Sequence, residues 1–439
     1  MSSNADFLIA ARWLVPVEPR GVVLDRHSIA VGGGKIIEIL PSTEAAAKYP
    51  GTRVVTLESH VVLPGLINLH THAAMSLMRG IADDKPLMEW LEKHIWPVEA
   101  KMVSHDFVRD GTLLACAEML RGGVTCFNDM YFFPEASVQA ALQSRMRASI
   151  GMIAIEFPSQ YASDARDYLD KGLALRDHRG DDPLLSFCLA PHAPYTVSDA
   201  TFERIAVVAD ELSVPIHMHV HETQDEINRS IAEHGVRPLQ RLQRLNLLGP
   251  NLLAVHAVHL TQGEIELLGA QGCHVAHCPA SNLKLAAGCA PITALAAAGV
   301  NIGLGTDGAA SNNRLDVFSE MRLASLLAKN LSGNASALPA CQALEMATLN
   351  AARALGIDNR TGSLTPGKCA DIIAVDLSAP ELSPCYDPLS HLVHAAGREH
   401  VSHVWVNGDM LLDNRVFTHL DPGELRAKAD YWKNRITTP

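Results

Sequence analysis

Val62-Leu63-Pro64-Gly65-Leu66-Ile67-Asn68-Leu69-His70-Thr71-His72 is an apolar run that ends in His-x-His. In an extended strand alternate side chains share a face, so the two imidazoles project to the same side, close enough to hold one ion. The apolar residues before them predict a buried strand. Buried imidazoles with no charge partner in the run need a compensating group, and a divalent cation is the simplest one. Two packed core histidines would show the same spacing, so further ligands must arrive from elsewhere in the chain.

The rhythm of the following residues decides whether they do. From Val61 onward, short apolar runs alternate with helical stretches such as 107–121 and 199–212, the pattern of a parallel βαβ sheet. Eight such runs are found: 61–69, 124–128, 149–156, 184–190, 215–221, 252–256, 274–277 and 301–305. Eight parallel strands with intervening helices predict a (β/α)8 TIM barrel, an α/β fold whose site is built at the strand C-termini. Residues 7–15 and 29–40 are short β-type runs separated by turn signals such as Gly32-Gly33-Gly34, and the β rhythm returns at 370–375 and 403–407. The expected organisation is therefore residues 1–58 as the N-terminal part of a small flanking β-sandwich, 59–368 as the barrel, and 369–439 as the rest of the sandwich plus a terminal helix over 422–435.

Histidines and carboxylates collect at the predicted strand ends. His70 and His72 end strand one, and His192 follows strand four. His217, His219 and His221 alternate along strand five, with Glu222 next; His256 ends strand six and Asp307 follows strand eight. Core histidines scattered at random would not gather in this way. Nitrogen and carboxylate donors without thiolates suit Zn2+, and also admit Fe2+ or Mn2+.

Bulk properties agree with a soluble enzyme. The 439 residues are 48% hydrophobic and 19% charged, which describes an ordinary globular protein and exceeds what one core usually supports. A net charge of −12 disfavours a nucleic-acid partner. No apolar run is long enough to span a membrane, and Met1 to Asp6 lack the layout of a signal peptide, so a cytoplasmic location is expected. Nine cysteines without CxxC predict reduced thiols. A small molecule is the expected partner.

Five blocks in this order resemble the amidohydrolase superfamily, within it the branch of 5-methylthioadenosine/S-adenosylhomocysteine deaminases and triazine chlorohydrolases. They are Pro64 to His72, Ala190-Pro191-His192-Ala193-Pro194-Tyr195, His219-Val220-His221-Glu222-Thr223, His277 to Leu285, and Gly303 to Gly308. The resemblance covers nearly the whole chain and implies a barrel with a flanking sandwich and one metal per subunit, on His70, His72, His219 and Asp307. Strand four offers no lysine to bridge a second ion. Spacing leaves His217, His219 and His221 equivalent; the family's His-x-x-Glu pattern selects His219 with Glu222. His256 competes with His259 and is favoured by its strand-end position and the family pattern, while His277 is either packed or an outer neighbour of the site.

The resemblance further implies hydrolytic deamination of an adenosine-type nucleoside. A metal-bound water is acidified toward neutrality; Asp307 is then the expected base, His256 orients the nucleophile, and Glu222 carries a proton to the ring. Glu222 and Asp307 therefore also touch the substrate. Nucleoside-deaminating members have Trp-Leu followed by Pro-x-Glu, matched here by Trp90-Leu91 and Pro97-Val98-Glu99. Glu99 is expected on the ribose hydroxyls, Trp90 against the ligand, and His192 on purine or ribose. Relatives acting on S-adenosylhomocysteine present two arginines beyond strand three. This chain offers Arg166 alone, so 5′-methylthioadenosine is the expected substrate, with S-adenosylhomocysteine and adenosine behind it. A triazine chlorohydrolase, a guanine- or cytosine-type deaminase, and a non-catalytic binding protein of the same fold are the alternatives. The branch implies a homo-oligomer, which no residue pattern specifies.

Overall fold

The computed structural model describes residues 5–85 and 87–437. Met1 to Asn4, read above as lacking a signal-peptide layout, lie outside the described residues. Strands β1 (Phe7–Leu14), β2 (Leu24–Gly32), β3 (Lys35–Pro41) and β4 (Arg53–Pro64) open the chain. The barrel strands follow as β5 (Leu66–Thr71), β6 (Val124–Asp129), β7 (Arg147–Ala154), β8 (Leu185–Pro191), β9 (Ile216–Val220), β10 (Leu252–His256), β11 (His274–His277) and β12 (Asn301–Leu304). The chain closes with β13 (Ile372–Asp376), β14 (Val401–Val406), β15 (Asp409–Asp413), β16 (Val416–Phe417) and a helix over Pro422–Thr437. No helix among the described residues is long and apolar enough to cross a membrane.

Strands β5 to β12 form one parallel sheet in sequential order, each followed by helical chain, which is the expected barrel. Its two edges, β5 and β12, meet at the C-terminal end. Asn68 Nδ2 donates to Thr306 Oγ1 at 2.7 Å and Asn68 Oδ1 accepts from Thr306 N–H at 2.9 Å. The Asp307 N–H donates to the His70 carbonyl at 3.0 Å. Lower down, the Ile67 N–H is taken by the Ala347 carbonyl instead. Gly305 permits the close seam: a Cβ there would lie 2.8 Å from the His70 backbone nitrogen.

The other eight strands make a mixed sheet in the order β16-β15-β14-β13-β4-β1-β2-β3, drawn from both chain ends. It has its own core, which includes Ile9, Ile29, Ile36, Val62, Ile372 and Trp405. The expected run 29–40 is two strands, parted by a turn in which Gly33 and Gly34 both have positive φ.

The domain boundary drawn after residue 58 falls inside β4, and the predicted strand 61–69 is two strands. Residues up to Pro64 pair with β1 and β13, and the chain enters the barrel only at Leu66. Both halves are completely buried, so apolarity runs through the junction without a mark. Gly65 is the pivot: a Cβ there would come within 2.0 Å of Thr125 Oγ1.

A buried ion pair ties the two sheets together. Arg147, at the start of β7, donates from Nε to Asp371 Oδ2 at 2.7 Å and from Nη2 to Oδ1 at 3.1 Å, and Asp371 Oδ1 also accepts from the Asn407 N–H. Removing one partner would leave a buried charge alone. Arg147→Met is expected to cost about 3–5 kcal/mol, read as a lowered midpoint in equilibrium urea unfolding, and adding Asp371→Leu should recover part of the loss.

Candidate functional site

Four side chains converge at the C-terminal mouth of the barrel. His70 and Asp307 meet at 3.2 Å (Nε2 to Oδ1), His72 and Asp307 at 3.3 Å, and the Nε2 atoms of His70 and His219 at 3.3 Å. Donors about 2.0–2.1 Å from a tetrahedral Zn2+ lie about 3.3 Å apart, so these spacings match the edges of such a polyhedron.

The imidazoles are held with Nε2 inward. The His72 Nδ1–H donates to the Met130 carbonyl at 2.6 Å, and the His219 Nδ1–H to the His192 carbonyl at 2.7 Å. A carbonyl only accepts, so the proton is on Nδ1 and the lone pair of Nε2 faces the centre. His70 Nδ1 is bonded instead to His217 Nε2 at 2.8 Å. Burial pushes the His70 imidazole down to about 4 and His219 well below its ordinary value, which keeps both rings neutral and able to ligate. The donor set fits one divalent cation.

Asp307 is fixed from every side. Its Oδ2 accepts from Ser281 Oγ at 2.7 Å and Ser311 Oγ at 2.6 Å, and its Oδ1 from the Gly308 N–H at 2.8 Å. Burial raises the carboxyl, but the hydrogen bond to His70 and the imidazoles of His72 and His256 outweigh it, holding Asp307 well below the usual carboxylate range. His256 gives its Nδ1–H to Asn282 Oδ1 at 2.8 Å, which leaves Nε2 directed at Glu222 Oε1, 3.7 Å away. Burial raises the Glu222 carboxyl, against the pull of His256. Its peptide is pinned by Glu226, whose two carboxylate oxygens accept the N–H groups of His221 and Glu222 at 2.9 and 2.8 Å.

The remaining expected residues line the same cavity, which includes Trp90, Glu99, His192, Glu222, His256 and Asp307. Trp90 and Glu99 come from one helical segment over 87–102 that contains a π turn at Leu91–Ile95. Nine positions apart is about two and a half turns of an ideal α-helix, which would set them on opposite faces; the wider π turn unwinds the segment so that both reach the cavity. Glu99 Oε1 accepts from Tyr131 Oη at 2.7 Å, and burial pushes its carboxyl up to about 7. His192 rests its Nδ1 on Thr196 Oγ1.

The competing histidines part company. His217 lies behind His70. His221 has φ +58°, which ends the strand and turns its ring outward, where Nδ1 donates to the His259 carbonyl and Nε2 accepts the Leu239 N–H. The common face expected for all three therefore stops at His219. His259 is occupied with the Ala287 carbonyl. Buried His277 ends β11 at the neighbouring strand. Arg166 is 84% exposed, lies by Asp170 on a helix, and is absent from the cavity wall. Ser281, Ser311, Asn282, Glu226 and Tyr131 had no role in the sequence reading. Ser281 and Asn282 sit in a quoted block, but short polar side chains carry no sign of the partner they face.

The chain belongs to the amidohydrolase family, whose model matches residues 61–411. It is 48% identical to a 5-methylthioadenosine/S-adenosylhomocysteine deaminase from Saccharophagus degradans, over 98% of this chain and 97% of the relative. A protein of the same name from Teredinibacter turnerae is 46% identical over 99% of this chain and 98% of its own. Among solved structures, an adenosine deaminase from Xanthomonas campestris with bound zinc is 48% identical, with a TM-score of 0.98 over 99% of each chain. An atrazine chlorohydrolase from Arthrobacter aurescens, 24% identical with a TM-score of 0.90 over 97% of this chain and 100% of that one, shares the fold.

His219→Ala is expected to abolish stoichiometric metal on elemental analysis, and His221→Ala to retain it. His217→Ala, which removes only the support behind His70, should weaken metal binding about 10–100-fold in a chelator competition.

Proposed function

We propose that this protein is a zinc-dependent hydrolytic deaminase of adenosine-type nucleosides, with 5′-methylthioadenosine as preferred substrate and S-adenosylhomocysteine and adenosine as poorer ones. The observation that carries the reading is one cavity whose wall holds His72, His219 and Asp307, with buried His70 within ligand distance of them, together with Glu99, Glu222 and His256. The names of the relatives at 48% and 46% identity support the reaction class, and the zinc-bound neighbour supports the metal.

His70, His72, His219 and Asp307 would hold the zinc, which when bound would supply Lewis acidity to a water near neutral pH. The protein's own residues do the rest. Asp307, kept ionised by the hydrogen bond to His70 and the imidazoles of His72 and His256, accepts the proton of the attacking water and returns it to the departing amino group. His256, its tautomer set by Asn282, faces the reacting carbon with Nε2 and steadies charge that develops there. Glu222, with a carboxyl raised by burial, is suited to hold a proton for a ring nitrogen and so make the ring electrophilic. Ammonia then leaves as the C–N bond breaks, and the added hydroxyl becomes the ring carbonyl by giving its proton to Glu222, which restores the acid. Glu99 has Oε2 free of the Tyr131 bond to receive ribose hydroxyls, and Trp90 covers the ligand.

Zinc-loaded protein should release ammonia from 5′-methylthioadenosine, S-adenosylhomocysteine and adenosine, in falling order of kcat/KM, as followed by ultraviolet absorbance. Turnover of none of them would end the purine assignment, and chloride release from a chlorotriazine in their place would favour the chlorohydrolase alternative. Glu222→Gln is expected to keep its metal and lose about 10²–10⁴-fold in kcat; wild-type turnover in that variant would remove Glu222 from the proton path.

A further inference from the structure

One buried carboxylate ties together the two chain segments that hold Asp307. Glu320 lies in the first turn of the helix over Val317–Ser332 and is 1% exposed. Its Oε2 accepts the Ala280 N–H at 3.0 Å, and its Oε1 accepts from Asn312 Nδ2 at 2.8 Å. Each of those residues adjoins a serine whose hydroxyl donates to Asp307 Oδ2: Ala280 precedes Ser281, and Asn312 follows Ser311. Asn312 gives its other amide proton to the carbonyl of Thr306, the residue before Asp307, at 2.7 Å. On the first segment Asn282, two places past Ala280, carries the oxygen that sets the His256 tautomer.

We propose that Glu320 is a positioning residue for this site: by bridging the segment after β11 to the segment after β12, it holds Asp307 and His256 in the geometry the reaction uses. For its kinetic consequences the inference rests on the deaminase reading above; for its effect on the metal it needs only the four-ligand cluster.

The bridge accounts for a group that is costly to bury. No cation among the described residues pairs with Glu320, so its two donors alone compensate the lost hydration. Burial pushes the carboxyl up to about 8 against their pull. A proton on either oxygen would face an N–H, so the ionised form is the one these contacts need. A carboxylate that merely satisfied a first-turn N–H of the short helix Pro279–Lys284 would use one oxygen. The second oxygen reaches across to Asn312, on the loop that leaves a different strand. Trp90, Glu99 and His192 come from segments to which Glu320 makes no hydrogen bond, so loosening the bridge should alter turnover more than substrate binding.

The test compares Glu320→Gln and Glu320→Ala in the zinc-loaded full chain, with 5′-methylthioadenosine as substrate. Gln keeps the shape and one acceptor but turns its amide onto the other donor. It is expected to lower kcat about 10-fold with KM within about twofold, and to weaken zinc about 10-fold in a chelator competition. Ala keeps neither acceptor and should lose about 100-fold in kcat, so that Gln acts as a partial rescue. Asp110→Asn, which unmakes bonds of a buried carboxylate to Trp432 and Lys428 away from the cavity wall, gives the effect of lost stability alone and should leave kcat and zinc affinity at wild-type values. Wild-type kcat and zinc affinity in Glu320→Gln, or equal losses in Asp110→Asn, would overturn the positioning role. If Glu320→Ala does not fold, Asn312→Ala cuts the bridge from its other end and should split kcat from KM in the same way; an unchanged kcat there would overturn the role as well. If the wild-type protein turns over no nucleoside, the deaminase reading fails, and zinc affinity in Glu320→Gln alone decides for or against the bridge.

Discussion

Asn68 and Thr306 clasp each other across the two edges of the barrel sheet, and the Asp307 N–H reaches the His70 carbonyl one step further on. A parallel sheet of eight strands has no reason of its own to bring its first and last strands together; twist leads them there, but a bond must hold them. Here the bonds sit at the mouth, beside the candidate ligands. His70 and His72 come from the first strand and Asp307 from just after the last, so the spacings of 3.2 and 3.3 Å between them depend on that seam. Gly305 is part of the same constraint, since the His70 backbone occupies the space a side chain would need.

Around the seam, the protein arranges protonation by partner choice. Carbonyl groups that can only accept are placed behind His72 and His219, and an amide oxygen behind His256. Burial then keeps the His70 and His219 rings neutral. The arrangement is held against local backbone preference: His221, His256 and Asp307, at the ends of β9, β10 and β12, all have left-handed φ, a conformation that costs of order 1–3 kcal/mol at each such residue. The surrounding hydrogen bonds keep those turns in place, and the turns decide which side chains face inward.

Much of this was legible in the sequence, and the omissions share a cause. Eight buried runs and the clustering of histidines at their ends carry the barrel, because apolar periodicity and strand-end position are one-dimensional signals. The exit from the flanking sheet at Gly65 was invisible, since Val61 to Leu69 is equally apolar on both sides of it. His221 could not be parted from His219 by spacing, because a single left-handed residue breaks the alternation that spacing assumes. The π turn that brings Trp90 and Glu99 together leaves no mark of its own, and the contacts of Ser281 with Asp307 and of Asn282 with His256 join segments 26 residues apart in sequence. Metal-ligand residues are read from their type; what orients them is read only from three-dimensional neighbours.

The pairing of β4 with β13 sets a schedule for the nascent chain. Val62 opposes Ala374 in that pair, so one edge of β4 lacks its partner until some three hundred residues more have been made. At about 5–20 residues per second, that is about 15–60 s of synthesis. During that interval the strand leading straight into the first barrel strand is bonded on its β1 side alone, with an apolar edge open to other chains. A strand made some three hundred residues later is therefore what closes that side of β4, and termination before β13 would release a chain whose sticky edge never finds its cover.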